Sequence, residues 1–119
     1  MLNRVLKFPG KVLLAGGYGV LEKNNCGLVL AVGCYFYAYY SELQPEETQN
    51  QSSTVITVES RQIEGKWSYR YDWEAAKLTG LFATAPNNFV REAIEHSLKY
   101  FSGDERMKGR SYCINLLFD

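Results

Sequence analysis

Apolar residues along this chain come in short bursts, cut by glycine, proline and asparagine. Asn3 to Lys7 has room for a short opening strand, and Pro9-Gly10 then reads as a turn. Val12 to Ala15 is too short an apolar run for a stable helix and predicts a buried strand. After the turn chemistry of Lys23-Asn24-Asn25, Gly27 to Val32 predicts a second apolar strand. From Gly33 to Ser41 the chain is dense in tyrosine and phenylalanine, which favours a further strand with no polar face and aromatic packing in the core. A base-stacking platform is the functional alternative for Tyr35 to Tyr40.

The second half is more regular. Gln44 to Ser53 is polar and aperiodic, a loop, and Thr54 to Ser60 is a strand. Beyond Glu64-Gly65-Lys66, aromatic Trp67, Tyr69 and Tyr71 alternate with polar Ser68, Arg70 and Asp72. That period of two predicts a half-buried antiparallel strand, and the pair reads as a hairpin. Trp73 to Gly80 is expected to hold one helical turn. Asn87-Asn88 supplies an N-cap for a helix of about 87–101, with Phe89, Val90, Ala93, Ile94, Leu98 and Phe101 on one stripe. Arg91, Glu92, Glu95, His96 and Lys99 take the other face, and Ser102-Gly103 ends the helix. After a charged loop from Asp104 to Arg110, Tyr112, Ile114, Leu116 and Phe118 alternate through a last strand. That strand meets Asp119 with no cap, the pattern expected of a chain cut inside its sheet. One main helix over a mostly antiparallel sheet defines an α+β fold, with no internal repeat and no interdomain linker.

The chain has 119 residues, 46% of them hydrophobic and 14% aromatic, enough for one domain with a real core. Thirteen basic residues balance 13 acidic ones, so no long-range field draws the chain to nucleic acid or anionic membrane. Three cysteines, Cys26, Cys34 and Cys113, form no CxxC pair, and each lies in or beside an apolar run, where reduced core thiols are expected. His96 has no second ligand at helical spacing, so a zinc site is not expected. Met1 to Lys7 lacks the apolar core of a signal peptide, and the low-charge run Asn24 to Ser41 reads as two successive strands, not a membrane span. The cytosol is the expected compartment.

Chemistry concentrates in residues 8 to 22, Phe-Pro-Gly-Lys-Val-Leu-Leu-Ala-Gly-Gly-Tyr-Gly-Val-Leu-Glu. Lys11 is the one charge between Lys7 and Glu22, and Gly16, Gly17 and Gly19 let main chain approach a ligand or a neighbouring segment. The bland alternative for Lys11 is a surface lysine at the start of a strand. Other phosphate-binding and catalytic signatures are absent from the sequence. There is no GxxxxGK[ST] loop, and Gly17-Tyr18-Gly19 fails as a dinucleotide fingerprint because Glu22 stands where a glycine is required. Glu46 and Glu47 lie in a polar loop that would neither fix them nor raise their pKa for acid–base work.

The stretch resembles the first motif of the GHMP small-molecule kinases, Ala-Pro-Gly-Lys followed by an apolar run and Gly-Glu-His or a variant. With Gly16-Gly17-Tyr18 at its close, it looks most like the phosphomevalonate kinase branch, fungal in type. Asn87 to Phe101 and Cys113 to Asp119 resemble the helix and strand that follow in that family. Phe8 replaces the usual alanine, Gly19 a usual leucine, and Gly17 the glutamate of many relatives. The resemblance implies an incomplete N-terminal kinase domain. It further implies 5-phosphomevalonate as acceptor, with Lys11 catalytic and beside the acceptor phosphate, and Gly16, Gly17 and Tyr18 shaping the acceptor pocket. ATP and Mg2+ are implied for a whole enzyme, but the Gly-Leu-Gly-Ser-Ser-Ala phosphate loop does not occur here, so the 119-residue chain is expected to be inactive alone. The competing expectation is a non-catalytic module that binds a partner through an open sheet edge and the aromatic strand Tyr35 to Tyr40.

Overall fold

A computed structural model describes residues 3–43, 51–101 and 105–118. The elements are β1 (Asn3–Ala15), β2 (Leu28–Leu43), β3 (Ser53–Ser60), β4 (Gly65–Asp72), β5 (Lys77–Ala83), α1 (Asn88–Tyr100) and β6 (Ser111–Phe118). Short 3-10 turns at Gly17–Leu21 and Glu105–Met107 follow β1 and precede β6. The strands form one sheet in the order β1-β2-β6-β3-β4-β5, antiparallel throughout except for the β3–β6 pair. The α+β class expected from the sequence is the class observed.

The strongest alternation makes the core. Val58 pairs with Trp67, Ile56 with Tyr69 and Thr54 with Tyr71, and all six are buried. Ile94 and Leu98 of α1 pack on them, with Leu78 from β5. The other face of the β3–β4 hairpin is polar, and there Thr57 and Ser68 share a hydroxyl hydrogen bond of 3.0 Å. Thr54 ties the layers together: its hydroxyl donates to the Met107 carbonyl (2.6 Å) and accepts from Trp73 Nε1 (2.7 Å). Where β3 ends, Gln62 extends the ladder with its side chain. Its Nε2 donates to the Phe118 carbonyl (2.8 Å), and the Phe118 amide donates to its Oε1 (2.5 Å).

Several expectations need correction. Pro9-Gly10 is not a turn but an irregularity within one 13-residue strand, where the register jumps from Pro9↔Tyr35 to Gly10↔Val32. A proline on an edge strand has no ladder donor to lose, and Gly10 leaves room for Val32 Cγ2, 3.0 Å from where a Cβ would stand. Gly27–Val32 and Gly33–Ser41 likewise merge into the single strand β2, because this irregularity absorbs Gly33 and Cys34 without ending the pairing. The helical turn expected at Trp73 to Gly80 is replaced by a reversal and β5. The Asp72 carboxylate accepts the amides of Glu74 (2.9 Å) and Ala75 (3.1 Å), and Ala76 takes φ +51 to turn the chain back along β4.

Helix α1 lies where the pattern placed it, with Asn87 Oδ1 accepting from the Val90 amide at 3.2 Å. Its buried stripe is narrower than expected: Ile94 and Leu98 are buried, whereas Phe89 is 89% exposed and Phe101 and Ala93 are also exposed. The stop expected at Ser102-Gly103, most of the Gln44 to Ser53 loop and Asp119 lie outside the described residues. Cys26 and Cys34 are exposed and Cys113 is half-buried, so none is a core thiol.

The largest departure concerns Val12 to Ala15, which are exposed, not buried. Pairing between β2 and β6 begins at Phe36 among the described residues, so Leu28 to Tyr35 pair with β1 alone. Residues 10–15 and 28–32 therefore form a two-stranded ribbon beyond the body of the sheet, apolar on both faces apart from Lys11. The molecule is long for its size, 52 × 32 × 27 Å, with a radius of gyration of 17.2 Å against about 13.5 Å for a compact chain of this length.

Candidate functional site

The ribbon carries all the residues that the motif singled out. Lys11 sits in β1 opposite Ala31, immediately after the Pro9-Gly10 irregularity, and not at the mouth of a separate strand. It is exposed, with no hydrogen bond or ion pair among the described residues. The neighbouring cation Lys7 is engaged, its Nζ lying 3.8 Å from the centroid of the Tyr35 ring.

The glycine turn at the end of the ribbon is held by its own backbone. Gly16 (φ +111) caps the 3-10 turn and its carbonyl accepts from the Val20 amide at 3.3 Å. Asn25 Nδ2 donates to the Gly19 carbonyl at 2.8 Å, which fastens the return segment. A side chain at Gly16 would meet Val20 and Gly27, while Gly17 (φ +37) faces open space. Tyr18 projects from the turn, 90% exposed, with its hydroxyl unpaired among the described residues. The turn thus presents backbone and one phenol to solvent. Lys11 stands four residues back along β1 from Ala15, about 13 Å of strand. Lys11, Gly16, Gly17 and Tyr18 therefore share one ribbon without closing a pocket among themselves. None of three surface cavities, of about 400, 340 and 350 Å³, is lined by any of the four.

The largest of these cavities escaped the sequence reading. It lies at the N-terminus of α1, lined by Tyr69, Gly80, Phe82, Asn87, Asn88 and Arg91 among others. A helix N-terminus beside a guanidinium favours an anionic or strongly polar group. Asn87-Asn88 and Arg91 were visible as a cap and a polar face, but Tyr69 and Phe82 reach the cavity from strands that only the fold brings near. It is separate from the ribbon: β1 and β5 are opposite edges of the six-stranded sheet, five strand spacings or about 24 Å apart.

The aromatic run splits by the period of the strand. Tyr35, Tyr37 and Tyr39 follow one another with ring centroids 6.4 Å apart, while Phe36 packs on Phe118 at 4.6 Å. Most of these rings are half-buried and Tyr39 is exposed, so they lie outside the buried core in which they were expected. His96 is exposed on the polar face of α1, 3.6 Å from Glu92. No three His, Cys, Asp or Glu side chains converge on a metal-sized site among the described residues, so no residue here is assigned to magnesium. Burial pushes the Cys113 thiol above its ordinary pKa, with the Glu59 carboxylate acting in the same direction.

No protein-family model matches the chain, and no solved structure matches it. Two curated proteins do. The chain is 35% identical over 98 residues to the peroxisomal phosphomevalonate kinase of Arabidopsis thaliana, a match that covers 79% of this chain and 19% of the relative. It is 31% identical over 100 residues to phosphomevalonate kinase ERG8 of Gibberella zeae, covering 77% of this chain and 22% of the relative. The chain thus spans about a fifth of the length of the curated relatives it matches. Over the matched stretch, this protein is a homologue of the phosphomevalonate kinases.

Proposed function

We propose that this chain supplies the acceptor-side part of an ATP-dependent phosphomevalonate kinase, which converts 5-phosphomevalonate to 5-diphosphomevalonate in isoprenoid and sterol synthesis. The observation that carries the reading is the similarity to two phosphomevalonate kinases over more than three quarters of the chain. The geometry of the ribbon supports it: Lys11 is an exposed cation with no competing partner among the described residues. In this reading ATP supplies the phosphoryl group. The acceptor phosphate oxygen forms a bond to the transferred phosphorus as the bond to the departing ADP breaks.

Lys11 contributes a compact, mobile positive charge that offsets the negative charge gathering on the acceptor and transferring oxygens. Gly16 and Gly17 offer main chain that a substrate can approach without a side chain intervening, and the Tyr18 hydroxyl is a donor at the same turn. The phosphate loop for the nucleotide is assigned outside this sequence, so the chain alone is proposed to bind its acceptor weakly and not to turn over. The plant relative is a peroxisomal phosphomevalonate kinase, so the peroxisome stands beside the expected cytosol as a compartment for this chain.

The test is a titration of the isotope-labelled chain with 5-phosphomevalonate, followed by NMR. Shifts should concentrate at the amides of Lys11, Gly16, Gly17 and Tyr18 and vanish in Lys11→Met. Shifts confined to the cavity at the start of α1, or unaffected by Lys11→Met, would remove Lys11 from the acceptor site. Acceptor-dependent ADP release by the chain alone would overturn the proposed division of labour.

A further inference from the structure

The turn at the end of the ribbon is built almost without packing. Gly17–Leu21 form a 3-10 turn with no buried residue, and residues 16–27 are exposed throughout. Glycine at 16, 17 and 19 leaves this backbone wide conformational freedom, so contacts other than packing must hold it. Four hydrogen bonds do so among the described residues. Three join backbone groups and are long: the Val20 amide to the Gly16 carbonyl at 3.3 Å, the Glu22 amide to the Gly19 carbonyl at 3.2 Å, and the Asn25 amide to the Glu22 carbonyl at 3.3 Å. The fourth is short. Asn25 Nδ2 donates to the Gly19 carbonyl at 2.8 Å.

Asn25 lies on the return segment between the turn and β2, and it is the one side chain that hydrogen-bonds the turn among the described residues. It grips the residue next to Tyr18, whose own phenol is 90% exposed and has no hydrogen-bond partner among the described residues. In the sequence, Asn24 and Asn25 read alike as turn formers; the structure separates them. Asn24 takes φ +71 and makes no side-chain hydrogen bond among the described residues, whereas Asn25 commits its side chain to Gly19.

We propose that Asn25 is a positioning residue of the acceptor site: its amide clamps the Gly19 carbonyl and so holds Gly17 and Tyr18 in the arrangement that meets the acceptor. The inference rests on the phosphotransfer reading of the same turn and goes beyond it, since Asn25 touches neither the substrate nor the reacting atoms. A turn ordered before binding loses less freedom on binding, so the clamp is read as affinity.

The test titrates the isotope-labelled chain with 5-phosphomevalonate by NMR, alongside urea unfolding of each variant. Asn25→Ala should weaken binding roughly three- to tenfold, the scale of one neutral hydrogen bond. The response should fade at Gly17 and Tyr18 and persist at Lys11, which β1 holds opposite Ala31. The urea midpoint should stay, because the turn contributes nothing to the buried core. Asn24→Gly, which keeps the left-handed backbone, should bind as the unaltered chain does. In the double variant Asn25→Ala with Tyr18→Phe, the two losses should fall short of additivity, because the clamp acts through Tyr18. Undiminished affinity in Asn25→Ala, an equal loss in Asn24→Gly, or fully additive losses overturns the inference and leaves Lys11 in the acceptor site. A lowered urea midpoint in Asn25→Ala makes the residue a structural one and overturns it as well. An unaltered chain with no shift at Lys11, Gly16, Gly17 or Tyr18 overturns the acceptor reading, and this inference with it.

Discussion

Gly16 and Gly27 stand so close that a Cβ built on Gly16 would lie 2.8 Å from Gly27 Cα, and a Cβ on either would strike Val20 Cγ1, at 2.7 and 2.6 Å. The close approach lies where the 3-10 turn meets the return segment of the ribbon. Gly16 also holds φ +111, which an L side chain rarely adopts. Gly16→Ala should therefore cost about 1–3 kcal/mol of local stability. Native-state hydrogen exchange reports this at the Val20 amide, which donates to the Gly16 carbonyl. Gly17→Ala has nothing within 4 Å and only φ +37 to resist it, and should cost about 1 kcal/mol. Equal protection of Val20 in both variants would contradict the close packing.

Thr54 should be the most sensitive polar residue of the core. It is fully buried and its hydroxyl serves both Met107 and Trp73. Thr54→Val keeps the shape but leaves the Trp73 Nε1–H and the Met107 carbonyl without that partner, and should cost about 1–3 kcal/mol in urea unfolding. Thr54→Ser keeps both bonds and loses one methyl, about 0.8 kcal/mol. A serine variant less stable than the valine variant would show that packing, not hydrogen bonding, dominates the site.

The three cysteines should separate by reactivity. Cys26 and Cys34 are exposed, whereas Cys113 is half-buried with a raised pKa. A raised pKa means less thiolate at neutral pH, and the thiolate is the form that reacts. Timed alkylation followed by peptide mass spectrometry should modify Cys26 and Cys34 first. Cys113 should lag and then gain rate as the pH rises toward its pKa. Simultaneous labelling at neutral pH would contradict the burial of β6.

How much of this could be read from residues alone depended on whether a segment had two chemically different faces. Trp67, Tyr69 and Tyr71 against Ser68, Arg70 and Asp72 left one solution, and the β3–β4 hairpin adopts it. Ile94 and Leu98 did the same for α1, although Phe89 at its first turn overshoots the layer it was expected to join. Pro9-Gly10 was ambiguous because proline and glycine suit a turn and a strand irregularity equally; long-range pairing with Val32 and Tyr35 decides it. In β5, Gly80 interrupts the alternation, and the reversal rests on one carboxylate, Asp72. The apolar run Val12 to Ala15 predicts burial by composition, but it lies in a two-stranded ribbon that β6 does not reach among the described residues, and its side chains are exposed. Lys11 and Gly16 to Tyr18 stand out in the sequence because the motif is local, and their proposed role rests on that motif. The cavity bounded by Tyr69 and Arg91 does not, because strand and helix meet there only after folding.

Lys11 is proposed to serve phosphoryl transfer to an acceptor phosphate. The most direct test of that role is a chimera in which this chain replaces the corresponding segment of the Gibberella zeae phosphomevalonate kinase, assayed for acceptor-dependent ADP release. Measurable turnover is expected, reduced about 100- to 1,000-fold by Lys11→Met with the fold retained by circular dichroism. A chimera that turns over equally fast with and without Lys11→Met would contradict it.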